Sequence, residues 1–140
     1  MIAKEYVELF RYLMEKYCLL QEDIVFVENI SSWCRQHGIQ EPDAERPFKL
    51  ISSEGVGCKM LVRENIPEEV LEERINAMSI RGQVLNVAFD RAEMLNSDHK
   101  KLAYLFLVEY ASSLPEIGDE ELLADDWAFK EMERLGYFRK

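Results

Sequence analysis

Lys100–Leu114, KKLAYLFLVEYASSL, is the stretch on which the reading of this chain turns. Leu102, Tyr104, Leu105, Phe106, Leu107, Val108, Tyr110, Ala111 and Leu114 leave it almost no polar face. A helix apolar nearly all round is buried on several sides. At fifteen residues it falls short of the ~20 apolar residues that span a bilayer. The stretch therefore predicts a central core helix over about 98–114, with Asn96-Ser97-Asp98 as break and cap and Pro115 as the stop.

Working outward, Ile2, Tyr6, Leu9, Phe10, Leu13, Met14, Tyr17 and Leu20 recur at three- and four-residue steps and predict a helix over 2–20. Ile24–Val27 has the β-branched and aromatic content of a short strand. Yet Ile24, Val27, Ile30 and Cys34 keep helical spacing, and Gly38 stands where a helix C′ glycine belongs. Helix is the reading preferred over 24–37. Phe48–Ser52 and Cys58–Arg63 flank SEGVG and predict a β-hairpin over 48–63. Phe48, Leu50, Cys58, Met60 and Val62 would share its buried face, with Lys49, Lys59 and Arg63 on a wet one.

Asn65-Ile66-Pro67-Glu68 reads as a helix start, with Val70, Leu71, Ile75 and Met78 as its apolar stripe. A further helix is expected with Leu85, Ala88, Phe89, Ala92 and Leu95 on one side. Leu122, Leu123, Trp127, Ala128, Met132 and Leu135 indicate one or two short C-terminal helices, ended by Gly136. The expected fold class is α+β, predominantly α: five to six helices around the 98–114 helix with one hairpin. The 140 residues read as one domain, of a size that buries roughly 68% of its unfolded surface.

The formal net charge is −10. Such a chain repels phosphate backbones and anionic lipid, and it has no basic run longer than a pair. Neither nucleic acid nor membrane is an expected partner. The first residues, MIAKEYVELFRYL, lack the continuous apolar region of a signal peptide. A cytoplasmic chain is the expectation, and three widely spaced cysteines do not make a disulfide framework.

Cys34 and His37 lie three apart, on one face if that segment is helical. With Cys18 and Cys58 they compose a candidate Cys3His zinc set, thiolates suiting the metal and imidazole supplying the fourth ligand. The competing reading makes the cysteines small buried hydrophobes. Cys34 and His37 lack the surroundings of a nucleophilic pair. No Glu precedes either histidine by three, which excludes the Glu-x-x-His pattern of a di-iron site. Gly55-Val56-Gly57 lacks the third glycine of a dinucleotide fingerprint.

From Glu109 to Asp126 there are seven acids and no base. Glu116, Asp119, Glu120, Glu121, Asp125, Asp126 and Trp127 are the candidate face for a protein partner with a basic surface. The function expected is a non-catalytic interaction or regulatory domain with an acidic docking face. The alternatives are a small zinc-stabilised Cys3His module, and an enzyme or small-molecule binder whose pocket carries no motif.

Overall fold

The structure, a computed structural model, describes residues 1–42, 46–84 and 91–138. It is 57% helical, with six α-helices and one three-stranded sheet, an α+β fold that is predominantly α. The chain divides into two compact units, Met1–Glu68 and Glu69–Lys140.

The N-terminal unit is built on the sheet. Its elements are α1 (Val7–Lys16), β1 (Ile24–Val27), α2 (Ile30–Gln36), β2 (Phe48–Ser53) and β3 (Gly57–Arg63). The strand order is β1-β3-β2. The expected hairpin is present, β2 pairing antiparallel with β3. Residues 24–27 are a strand and not the start of a helix. Four β-branched or aromatic residues pair parallel to β3, Ile24 opposite Met60 and Phe26 opposite Val62. The helix begins only at Ile30, where the Asn29 side chain accepts from the Ser32 N–H at 2.8 Å.

That added strand corrects the one-wet-face reading of the hairpin. β3 is now central, and Met60, Leu61 and Val62 are all buried in succession. On one face Phe26, Val62 and Phe48 align across the strands, and Phe10 of α1 packs there, 5.5 Å from the Phe48 ring centre. On the other, Leu61, Val27 and Ile51 cluster with Ile30 and Cys34 of α2. A strand covered on both sides carries consecutive apolar residues instead of alternating ones.

The C-terminal unit is helical: α3 (Glu68–Val84), α4 (Arg91–Met94), α5 (Asp98–Ser112) and α6 (Glu121–Arg134). The expected helix through Leu85, Ala88 and Phe89 falls largely outside the described residues; Ala92 lies in α4. α5 matches the core helix expected. Ser97 caps it, accepting from the Lys100 N–H at 3.2 Å, and Leu102–Leu107 are buried without a break. Each leucine or phenylalanine among them contributes roughly 1.5–3 kcal/mol on burial. α5 packs against α6, which is a single helix of 14 residues.

α1, α2 and α6 all end in the same way. The second residue past the cap returns its N–H to the third-last helical carbonyl: Leu19 to Met14, Ile39 to Cys34, Tyr137 to Met132. This closure needs a left-handed residue at C′. Gly38 and Gly136 supply it at α2 and α6, but at α1 the residue is Cys18, with φ 58°. A side chain there is strained, and Cys18 is exposed, outside the buried core of the described residues. Cys18→Gly is expected to raise stability by about 0.5–1 kcal/mol in chemical denaturation, whereas Cys18→Val should lower it. A loss of stability in the glycine variant would show that the thiol has a structural partner.

Candidate functional site

Asp125 is the buried charged residue of the described core, with 4% of its surface exposed. An isolated carboxylate there would be costly, and the fold supplies three donors. Arg81 of α3 grips it with both edges of its guanidinium, Nε to Oδ2 at 2.7 Å and Nη2 to Oδ1 at 3.0 Å. The Tyr104 hydroxyl of α5 donates to Oδ1 at 2.6 Å. One α6 carboxylate thus ties α3, α5 and α6 together. Burial pushes the Tyr104 hydroxyl well above its ordinary pKa, and the neighbouring Asp125 charge pushes it further. Hydrogen bonding to Asp125 raises the Arg81 guanidinium above its usual value.

Asp126 faces a second cation set. Arg91 Nη2 and Lys130 Nζ each lie 2.8 Å from it, and the Arg91 guanidinium covers the Phe129 ring at 4.7 Å. Burial pushes the Asp126 carboxyl up, but hydrogen bonds from Lys130 and Arg91 more than offset it and hold the group below its ordinary value. Its stabilising effect is therefore present at neutral pH and is lost as pH falls through the folded-state value.

The seven residues expected to form a docking face are consequently split. Asp125 is a core ion-pair residue, unavailable to a partner. Asp126 is held by Arg91 and Lys130, and Glu121 approaches Arg81 Nη1 at 3.4 Å. Trp127 is half-buried, 5.7 Å from the Tyr110 ring, and packs on the Ala111, Ile117 and Ala124 cluster. Glu116, Asp119 and Glu120 stay exposed on the α5–α6 connection and form no ion pair among the described residues. That connection is pinned from below. Ile117 is buried, Gly118 takes φ 55° to turn the chain, and its N–H returns to the Leu114 carbonyl at 2.9 Å. Leu123, half exposed, lies in the first turn of α6, three residues after Glu120. It is exposed although its spacing matches that of the core residues of α6.

The Cys3His residues are not brought together. Cys34 is fully buried in the cluster with Leu61, while Cys58 is exposed. Three residues apart on β3, Cys58 and Leu61 point to opposite sheet faces, which separates Cys58 from Cys34. Cys18 sits at the C′ position of α1. His37 stacks on Trp33 at 3.7 Å, and its Nδ1 donates to the Trp33 carbonyl at 2.8 Å, an oxygen that can only accept. Among the described residues no group of three or more His, Cys, Asp or Glu side chains is placed to hold a metal. None of their helices is long and apolar enough to cross a membrane. Comparison with protein-family models, curated proteins and solved structures finds no match.

The Arg81–Asp125–Tyr104 cluster makes a thermodynamic prediction. Arg81→Met strands the buried carboxylate and is expected to cost about 3–5 kcal/mol. Tyr104→Phe removes one hydrogen bond to a charged group and is expected to cost about 1.5–3 kcal/mol. The double variant should lose less than the two together, because both act on one carboxylate. Strictly additive losses in denaturant titrations would mean that the two donors do not share Asp125. The alkaline limb adds a check. The folded-state pKa of Tyr104 lies above its unfolded value, so its contribution is complete below about pH 10 and is lost as pH rises toward the folded-state value. Tyr104→Phe should flatten that limb of the stability curve.

Proposed function

We propose that this protein is a non-catalytic interaction domain whose C-terminal unit receives a basic protein segment on the α5–α6 connection. The observation that carries the reading is the division of the acidic run. Cations of the same unit neutralise Asp125 and Asp126, while Glu116, Asp119 and Glu120 are left exposed and without ion pairs among the described residues, with the half-exposed Leu123 three residues after Glu120. Exposed like charges on a pinned turn raise the local attraction for a cationic partner, and an apolar residue at their edge gives it an anchor. Charges at such a rim act mainly on association rate. The net charge of −10 disfavours nucleic acid as that partner. A cytoplasmic setting, with its reducing conditions, is part of the same proposal.

The test compares immobilised wild type with a Glu116→Ser, Asp119→Ser, Glu120→Ser triple variant and with Leu123→Ser, in native lysate at low and high salt. Folding stability of the triple variant should stay within about 0.5 kcal/mol of wild type. Wild type should retain basic proteins that the triple variant captures more slowly, and the difference should shrink as salt screens the steering. Leu123→Ser should weaken capture at every salt concentration. Equal capture by all three proteins would sink the reading, as would retention of random duplex DNA in place of basic proteins.

A further inference from the structure

A separate feature of the C-terminal unit is a cleft of about 390 Å³ between α3, α4 and α5. The volume falls within the range of small-ligand pockets, about 300–1,000 Å³. Its floor is apolar: Ile75 and Leu95 are both buried. Its walls carry both signs of charge. Glu72 of α3, Glu93 of α4 and Lys101 of α5 line its rim, the two glutamates exposed. None of the three forms an ion pair among the described residues, although other acids of this unit do. Asn96 also lines the cleft and accepts from Lys100 Nζ at 3.2 Å.

The charge pattern selects among ligands. A simple anion would meet Lys101 but face two carboxylates. A simple cation would meet the glutamates but crowd Lys101. Either leaves one sign uncompensated while displacing the water that solvates it, which is unfavourable. A molecule with one ammonium, one carboxylate and an apolar stem compensates both and covers Ile75 and Leu95. We infer that the Glu72–Glu93–Lys101 cleft binds a small apolar zwitterion, an amino acid or short peptide. Lys101 receives its carboxylate and the two glutamates receive its ammonium group.

The test titrates the full chain with L-leucine, L-leucyl-L-leucine, isopentylamine and isocaproate, following backbone amide resonances. At least one zwitterion should give saturable shifts confined to residues 72–76, 92–96 and 101. The amine and the acid, each lacking one charge, should bind roughly tenfold more weakly, the loss expected for one charge-assisted contact. Lys101→Met and Glu93→Gln should each weaken the zwitterion by a similar factor. Whichever of leucine and dileucine binds more tightly identifies the source of the shared chemistry. The inference is overturned if neither zwitterion gives saturable shifts, or if a singly charged analogue binds as tightly as the better one. It is equally overturned if a folded Lys101→Met chain keeps wild-type affinity. The analogue comparison uses wild type alone, so it decides the matter even where a variant folds poorly.

Discussion

Asp125 sits on a helix that is otherwise apolar on its inner face, between Ala124 and Ala128 and one turn before Phe129. Water cannot solvate its carboxylate there, so the surrounding helices must. Arg81 and Tyr104 do so from α3 and α5, and both arrive with directional bonds. Hydrophobic burial alone tolerates helices sliding or rotating past one another, because it scales with area and not with angle. A bidentate guanidinium–carboxylate pair tolerates neither. The α3–α5–α6 packing of the C-terminal unit therefore has one register in which its buried charge is satisfied. A buried ion pair is weak evidence of added stability over an apolar substitute. What it adds over an apolar contact is direction, since its bonds are met only when α3, α5 and α6 present these three side chains to one another.

The N-terminal unit meets the same demand for uniqueness by hydrogen bonding along a sheet. β3 has partners on both edges, and the register of each pairing decides which side chains reach α1 and which reach α2. A slip of one residue would exchange Leu61 for Met60 or Val62 between the faces. The cost of such a slip is softened because all three are apolar. Charge then helps to fix the register: Lys59 lies 3.5 Å from Asp23, just ahead of β1. Exposure moderates the strength of that pair, yet its position favours the observed alignment of β1 over a shifted one.

How much of this was legible in the sequence follows the range of each interaction. α5 was readable because an apolar run with a Ser97 cap is a local signal. So were the hairpin and the glycines after α2 and α6. Residues 24–27 were misread because four residues are too few for period two to outweigh helical spacing. The deciding partner, β3, lies 36 residues further on in the Ile24–Met60 pairing. The two-faced burial of β3 followed from the same missing strand. Asp125 was read as one acid among seven because its partners lie 44 and 21 residues away. Tyr104 was visible as a core residue of α5. A tyrosine buried in the apolar run of α5 needs a hydroxyl partner, and that need was a hint the sequence carried.

The same distinction governs what an acidic run can do. Seven carboxylates between Glu109 and Asp126 are alike in sequence, but the fold gives them different surroundings. Asp125 and Asp126 occupy α6 positions that turn toward Arg81 and Arg91. Glu116, Asp119 and Glu120 precede α6 and form no ion pair among the described residues. Placing Trp127 against Tyr110 and Ile117 beneath the turn holds those three acids on a backbone with little freedom to retract. On the proposed reading, a fixed array of charges would need less ordering on binding, so more of its electrostatic attraction would survive as affinity. Cations that neutralise α6 from within thus have a second consequence. They neutralise the buried Asp125 and the part-exposed Asp126 and leave the negative field concentrated on the connection that precedes them.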